Sequence, residues 1–496
     1  MLRSLALLLA LALWPTALMA QGLADALRLA TDPLPSGARS LAMGGGLISA
    51  AEGYSALEAN PAAIAPLGTR EFGLTLFDNN HSSSSQYFDQ TSTASINAFS
   101  LGSLGLAAPF ATVQGHLAVG VSYDRQREFN TTYRFDAVNP TSTLFNTRGF
   151  IQDPFTSGSY GNQSWLTDHN LAYALHLTNP VADTGAVTLT TPFTSGFRES
   201  GTVTESGSLD ALRIGAGVDI AEGVSVGAAV NILIGSYDWN RDYTATHAGA
   251  SPDTTTLTTA TISDNVHEDQ SGASIKFGLL VSKLKAFRFG LTVETPQIIH
   301  VTEQDVQSGT SQFSDGRFYT SDNSNALPVY QLEYDIWLPT RLGAGASLHL
   351  AGLTASASAT YADMSAIRFK NPTPVYTSFA DKNQEAVNLL RPVVAWQIGA
   401  EYIIPIVGLS VRAGFADEPS PYQGDPSTFD TKKISAGLGI LLGKSVLLEG
   451  SWRHSTYHTS HTIYNDSTPS GQPISAFIPD DAVSRDDIAL TLNYRW

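Results

Sequence analysis

Apolar and polar residues alternate along much of this chain, and the alternation is clearest at its C-terminal end. One face of the last segment holds Ile488, Leu490, Leu492, Tyr494 and Trp496. The other face holds Asp487, Ala489, Thr491, Asn493 and Arg495. Successive side chains of a β-strand point to opposite sides, so this pattern predicts a strand with one apolar face and one polar or small face.

The same alternation recurs upstream and divides the chain into fourteen predicted strands. They cover residues 70–78, 93–109, 114–128, 207–219, 223–240, 268–283, 285–304, 326–349, 352–370, 390–403, 407–416, 430–441, 444–460 and 483–496. The connections between them alternate between short turns and long loops, which is typical of outer-membrane barrels. The longest predicted extracellular loop is 129–206, and 241–267 and 461–482 are predicted as loops on the same side.

Closure of the sheet follows if the apolar faces contact lipid. A soluble sandwich alternates too, but it buries its apolar faces against a second sheet. In hydrocarbon every backbone N–H and C=O must be paired within the protein, so an open edge is not tolerated. We therefore expect an all-β protein, a transmembrane antiparallel β-barrel of about 14 strands over residues 70–496. The expected location is the bacterial outer membrane.

Aromatic residues near predicted strand ends fit the interfacial girdles of such barrels. They are Tyr123, Trp239, Tyr361 and Trp452. The general enrichment of aromatics in strands explains the same residues equally well. The C-terminal Trp496 after an alternating strand resembles the signal that the barrel-assembly machinery reads. That machinery, outer-membrane lipid and lipopolysaccharide are the expected partners.

Composition excludes several other classes. The 496 residues carry a net charge of −17 without a cluster of Lys and Arg, which argues against a nucleic-acid partner. Only 15% of residues are charged, against about 25% in soluble proteins. The absence of Cys excludes disulfides and thiolate metal sites. No cofactor is implied.

The first twenty residues have the pattern of a cleaved signal peptide. Arg3 supplies the positive charge, an apolar run follows from Leu5 to Leu13, and small residues end at Ala20 before Gln21. This segment, 1–20, is shorter than a typical membrane span. Export is therefore expected, and the mature chain would begin near residue 21.

Residues 21–69 do not alternate and carry two motifs. The first is Ala38-Arg39-Ser-Leu-Ala-Met-Gly-Gly, and the second is Asn60-Pro61-Ala62. Together they resemble the start of the FadL/TodX/OmpP1 family of outer-membrane transporters for hydrophobic compounds, in a Bacteroidetes-like branch. The resemblance implies that 21–69 is a hatch inside the barrel lumen, with Asn60, Pro61 and Ala62 as gate elements.

Other residues of the hatch support this interpretation. Gly44, Gly45 and Gly46 would allow the backbone to pack closely against the wall or to adopt positive φ. Pro61 restricts Asn60 to extended conformations and ends any helix before it. Turn residues of a periplasmic extension are the alternative explanation.

The resemblance also implies a function, namely passive uptake of a long-chain fatty acid or another apolar small molecule. Loops capture the ligand, the hatch gates it, and a kink in the third strand releases it sideways; the sequence does not locate that kink. Aromatics of loop 129–206 are the candidate capture surface, and they alternatively anchor the loop on the rim. They include Tyr133, Phe135, Phe145, Phe150, Phe155, Tyr160 and Trp165.

Two other functional classes remain as alternatives. One is a barrel that binds protein partners in a secretion or surface-attachment system, and a general diffusion porin is disfavoured by the hatch. An enzyme is not expected, because a barrel enzyme needs Ser, His and acidic groups that converge at a rim, and the sequence does not show such a convergence. A metal site is not expected either, because strand geometry separates His454 from His458 by roughly 13 Å and turns His461 to the other face.

Overall fold

The computed structural model describes residues 22–151, 170–183, 186–249, 256–284, 286–321, 330–373, 378–405, 407–468 and 472–496. The predicted signal peptide, 1–20, lies outside these ranges. Among the described residues, no helix is both long enough and apolar enough to cross a membrane.

Strands make up most of the described chain. They are β1 (Glu71–Tyr87), β2 (Gln90–Phe110), β3 (Leu117–Glu128), β4 (Thr131–Asn139), β5 (Asn179–Asp183), β6 (Ala186–Thr190), β7 (Phe197–Ala221), β8 (Val224–His247), β9 (Leu257–Leu284), β10 (Phe287–Glu294), β11 (Ile298–Phe313), β12 (Phe318–Ser321), β13 (Tyr330–Trp337), β14 (Arg341–Leu350), β15 (Leu353–Asp363), β16 (Arg368–Thr373), β17 (Pro392–Ile404), β18 (Leu409–Glu418), β19 (Thr431–Leu442), β20 (Val446–Ser467) and β21 (Pro473–Arg495). The α-helices are short: α1 (Leu23–Ala30), α2 (Ala38–Ala42), α3 (Ala56–Ala59), α4 (Arg148–Ile151), α5 (Leu171–Ala174) and α6 (Ala380–Leu389).

The large sheet closes into a barrel of fourteen antiparallel strands. Closure occurs where β1 pairs with β21, from Glu71 opposite Arg495 to Gln86 opposite Asp480. Four of the fourteen strands consist of two segments each: β3 with β4, β10 with β11, β13 with β14, and β15 with β16. Pro296 and Pro339 lie in two of these breaks, where a missing N–H interrupts the ladder. The predicted fold class is confirmed.

The outer surface of the barrel carries an apolar belt. In β21 the side chains of Ile488, Leu490 and Leu492 are 40–51% exposed, whereas Asp487 and Thr491 are at most 1% exposed. In β8 the same contrast separates the exposed apolar residues from their buried small or polar neighbours. An exposed apolar ring of this kind is stable only against lipid. The faces predicted from alternation are therefore correct.

Several strands are longer than the alternation predicts. The predicted loops 241–267 and 461–482 belong largely to the hairpins β8–β9 and β20–β21. The predicted loop 129–206 was wrong at both ends, because residues 131–139 form β4 and β7 begins at Phe197. The outward face of these extensions is rich in Thr, Ser, Asn and Asp, whereas apolar residues such as Tyr243, Ile262 and Phe135 turn inward, so the pattern of the belt is reversed there. The extensions form because each still pairs along its whole length with a neighbour.

Trp239 was wrongly placed in an interfacial girdle. Trp239 lies on the same face of β8 as the buried residues Leu233 and Tyr237. Its side chain therefore lies inside the barrel, where it packs against buried hydrophobic residues. By contrast, Tyr361 and Trp452 are about 41% exposed on the outer surface. The Trp452 indole donates to Asp486 (3.0 Å), at the point where the belt gives way to polar residues.

A charge in the apolar belt should destabilise this barrel strongly. Val230 lies at the middle of the outward apolar row of β8 and is 45% exposed. We expect Val230→Arg to lower the free energy of unfolding in phospholipid bilayers by about 2–4 kcal/mol, the cost of a cation near the bilayer midplane. Thr244→Arg is the matched control on the same face of β8, beyond the belt, and should cost about 0–1 kcal/mol. Equal costs at the two positions would contradict the assignment of the belt.

Candidate functional site

Residues 22–69 lie in the lumen, and glycines of the wall make room for them. Gly227 of β8, Gly278 of β9 and Gly290 of β10 all face the turn around Asn60. A Cβ on Gly227 would lie 2.5 Å from the Ala62 nitrogen, and a Cβ on Gly290 would lie 3.0 Å from Asn60 Nδ2. The wall and the hatch therefore fit at backbone contact, which only glycine permits.

Asn60 is fully buried and holds the hatch turn together. Its amide nitrogen donates to the carbonyl oxygens of Ile48 (2.8 Å) and of Leu279 in β9 (3.1 Å). Its side-chain oxygen accepts from the Ala62 N–H (3.0 Å). Its backbone is extended at φ −156°, as expected for a residue before Pro61, and a 3-10 turn follows. The side chain thus links two parts of the hatch to the wall.

The glycines after α2 provide a second close contact. Gly44 and Gly45 have positive φ (76° and 85°). A Cβ on Gly44 would lie 2.9 Å from the Phe415 carbonyl of β18, and a Cβ on Gly46 would lie 2.7 Å from Cβ of Gln397 in β17. Both expected roles, positive φ and close packing, therefore occur within this glycine run.

Tyr54 fills a gap between the first two strands. Gly73 of β1 and Gly105 of β2 are paired, and a Cβ on either would collide with the Tyr54 ring. The Tyr54 hydroxyl is hydrogen-bonded to Ser103 (3.0 Å). Burial raises the pKa of this hydroxyl to about 12, so it stays protonated at neutral pH.

An ionic network fixes α2 to the opposite wall. Arg39 donates two bonds to the Glu401 carboxylate (2.8 and 3.1 Å) and one to the Ala50 carbonyl (3.0 Å). Glu401 also accepts from Arg412 (2.6 Å), which in turn pairs with Glu449 (2.7 Å). Arg39 therefore joins the hatch to the wall through charge-assisted bonds.

The ladder between the second and third strands stops early. β2 pairs with β3 only up to Ser103 opposite Asp124. Among the described residues, the remainder of β2, from Gln90 to Gly102, pairs with β1 alone. β3 continues to Glu128 and β4 starts at Thr131, and from there the third strand pairs only with β7. The wall therefore has a gap in its hydrogen bonding beside β2.

The third strand also bends inward at this break. The Thr132 N–H donates to His81, an inward residue of β1 (3.5 Å). Phe129, at the break, is buried and makes an edge contact with Tyr237 (5.6 Å between ring centroids). The third strand is therefore interrupted between Glu128 and Thr131, a position that the sequence did not locate.

The hatch covers the free edge of the third strand. The Leu34 N–H donates to the Gln126 carbonyl (2.9 Å), where no strand partner is present among the described residues. Ser36 donates to the buried Asp124 carboxylate (2.5 Å), which also accepts from Ser122 (2.6 Å) and Arg213 (2.6 Å). Residues 34–36 thus bind the third strand at the edge of the gap through polar contacts.

A cavity of about 1180 Å³ lies beside α1. Its lining is mainly apolar and includes several aromatics that sequence reasoning missed. They are Tyr237, Trp239, Tyr422, Phe429, Tyr457, Tyr464 and Phe477. Inward parity on β8 was the signal that could have revealed Trp239. Tyr464 has the parity of the outward Trp452 and could not be found in this way, because β20 shifts register between Thr459 and Tyr464. The cavity is large enough for a small organic molecule.

The predicted capture aromatics separate into three groups. Phe150 and Tyr133 line the cavity, and Tyr133 stacks on His461 (3.7 Å between centroids). Phe145 and Phe135 are fully buried in the core of the loop region and hold it together. Phe155, Tyr160 and Trp165 lie outside the described residues.

The histidines near the end of the chain are engaged with aspartates. His454 contacts Asp486 (2.9 Å), and His461, on the other face, contacts Asp481 (2.8 Å). Within the described ranges, no three His, Asp or Glu side chains are grouped so that they could hold a metal ion.

This architecture defines a class of protein: a transmembrane barrel of fourteen antiparallel strands whose lumen holds a folded N-terminal hatch. Within that class the fold is that of the FadL transporters. A FadL homologue of Pseudomonas aeruginosa matches 93% of this chain and 99% of its own length, with a TM-score of 0.57 and 12% identity. The toluene transporter TodX of P. putida matches 93% of this chain and 98% of its own, with a TM-score of 0.50 and 12% identity.

Comparison at the level of sequence does not detect this likeness. No protein-family model matches the chain, and no curated protein sequence matches it. At 12% identity the likeness establishes the fold, and the expected FadL-type fold is confirmed at that level.

Proposed function

We propose that this protein resides in the bacterial outer membrane and mediates passive uptake of hydrophobic small molecules. One observation carries the proposal: a largely apolar cavity adjoins a hatch that contacts the third strand beside a gap in the hydrogen bonding of the barrel wall. A water-filled pore gives an apolar solute no affinity. Burial of apolar surface contributes about 25 cal/mol per Å², so this cavity offers what a pore cannot.

The route follows from the same geometry. A ligand enters from the loop side, rests against α1 and Phe150, and leaves sideways between β2 and the third strand when residues 34–36 withdraw. Asn60, Pro61 and Ala62 act as gate elements because they are the part of the hatch that touches β8, β9 and β10. Sideways release delivers an apolar molecule into lipid and avoids its return to water.

The solved transporters of this fold support the ligand class. One of them is named for toluene, and the cavity aromatics here suit molecules of that kind. Lipopolysaccharide and phospholipid surround the belt in this proposal, and the assembly machinery reads the strand that ends at Trp496.

Removal of one cavity aromatic should weaken uptake without damage to the barrel. Trp239 lines the cavity, and Trp396 is a matched tryptophan on the outer surface, 40% exposed. We expect Trp239→Ala to reduce toluene uptake by about tenfold at low concentration, from the loss of apolar contact. Trp396→Ala should leave uptake unchanged. Uptake is measured with labelled toluene in a bacterial host that lacks its own hydrophobic channels, with a sugar of similar size as the permeability control.

Two results would overturn the proposal. One is toluene entry equal with and without the protein, which would favour a barrel that binds protein partners. The other is equal entry of toluene and the sugar, which would indicate an open pore.

A further inference from the structure

The cavity beside α1 carries much more acid than base. Its described lining includes eleven Asp and Glu residues but only two Arg and no Lys. Carboxylates in a partly apolar space are costly unless cations compensate them. The placement of the cations therefore decides which ligand charge the cavity accepts.

Both lining arginines are already committed to protein groups. Arg28 of α1 donates to Asp25 (2.8 Å) and Glu268 (3.0 Å), and its guanidinium lies 3.3 Å from the centre of the Tyr237 ring. Arg241 donates to Asp264 (2.7 Å) and to the Ile463 carbonyl (2.7 Å). A carboxylate ligand would have to share either cation with the carboxylates that it already serves.

Cations behind the lining compensate only part of the remaining acid. Arg341 pairs with Asp32 (2.8 Å), Lys433 with Glu418 (2.7 Å), and Lys382 with Glu385 (3.8 Å). In the part of the chain that the structure describes, neither Glu205 nor Asp425 forms an ion pair with Lys or Arg. Asp481 pairs only with a histidine, His461. A surplus of carboxylates therefore faces the cavity.

The hatch carboxylate Asp25 is buried beside the cavity. Burial raises the pKa of Asp25, even though Arg28 acts in the opposite direction. A further cation in the cavity would stabilise its ionised form. Tyr422 lines the cavity together with Asp425 and Glu385, and aromatic faces next to carboxylates attract organic cations with an apolar body.

We propose that the cavity selects hydrophobic amines in their protonated form over hydrophobic carboxylates of the same size. This inference rests on the proposed function, because it names the ligand class of the same cavity. The preferred ligand is then an aromatic or alkyl ammonium ion and not a fatty-acid anion. A bound ammonium group can pair with a carboxylate such as Glu205, so Arg28 and Arg241 keep their present partners.

Three probes of equal size test the charge preference directly. They are 4-phenylbutylamine, 4-phenylbutanol and 4-phenylbutanoate, titrated by calorimetry into the full mature protein in non-ionic detergent at neutral pH. We expect the amine to bind about tenfold more tightly than the alcohol, and the carboxylate to bind more weakly than both, as one screened charge interaction predicts. Carboxylate affinity equal to or above that of the amine would overturn the inference.

A charge-matched pair of variants locates the effect. Glu205→Gln removes one carboxylate from the cavity and should lower the ratio of amine to carboxylate affinity by about threefold. Asp242→Asn removes one carboxylate from the exposed outer face of β8, and it should leave that ratio unchanged. An equal fall in both variants would assign the preference to the overall charge of −17 and would contradict a cavity effect.

The outcomes also separate this inference from the proposed function. If none of the three probes binds, the proposed uptake of hydrophobic molecules fails with it. If the alcohol and the carboxylate bind as tightly as the amine, only the charge selection fails.

Discussion

Replacement of Arg39 by alanine should release the hatch from the wall. The change removes two bonds to Glu401 and one to the Ala50 carbonyl. Loss of one partner from a buried pair costs about 3–5 kcal/mol, and we expect about 3 kcal/mol because Arg412 continues to pair with Glu401. That corresponds to a shift of about a hundredfold toward the undocked hatch. Planar-bilayer recordings should show larger and noisier conductance than the wild type.

Arg198 supplies the matched control. It forms a similar two-bond pair with Asp136 (2.6 and 2.8 Å), but on the exposed surface. Arg198→Ala should leave the conductance unchanged, because water replaces the lost contact. If Arg39→Ala also leaves the conductance at the wild-type level, the Arg39–Glu401 contact does not hold the hatch.

A larger side chain at Gly227 should displace the turn that contains Asn60. A Cβ at this position meets the backbone of Pro61 and lies 2.5 Å from the Ala62 nitrogen, so no side-chain rotation can relieve the contact. We expect Gly227→Val to cost about 3 kcal/mol, the upper part of the usual range for overpacking. The free energy of unfolding and the protease sensitivity of residues 22–69 both report this change.

Gly450 on β20 is the corresponding control. Nothing lies within 4 Å of a Cβ built there, so Gly450→Val should leave both measurements unchanged. If Gly227→Val has the same free energy of unfolding and the same protease sensitivity as the wild type, the hatch does not pack tightly against β8 in the folded protein.

The membrane-facing half of the fold could be predicted from the sequence because lipid imposes a simple rule. Outward residues such as Leu490 must be apolar, and inward ones such as Thr491 need not be. That rule holds only within the belt. Beyond the belt the outward face of β8 carries polar residues such as Thr244 and apolar side chains such as Tyr243 turn inward, so the pattern of the belt ends and these segments were predicted as loops.

The lumenal site was only partly predictable, because its contacts join residues that are distant along the chain. Asn60 and Gly44 could be found from motifs. Tyr54 could not, since its place depends on two glycines, Gly73 and Gly105, that become neighbours only when β1 pairs with β2. The partners Ser36 and Asp124 are 88 positions apart and meet only because the hatch folds back into the barrel.

The paired extensions of β8 and β9 determine where a solute first meets the protein. The last outward apolar residue of β8 is Ile234, and the strand runs on to His247. Thirteen residues of tilted strand raise the rim by roughly 30 Å above the hydrocarbon. The rim of the barrel therefore stands well clear of the membrane surface, and under the proposed function a molecule that enters there meets protein before it reaches the headgroups.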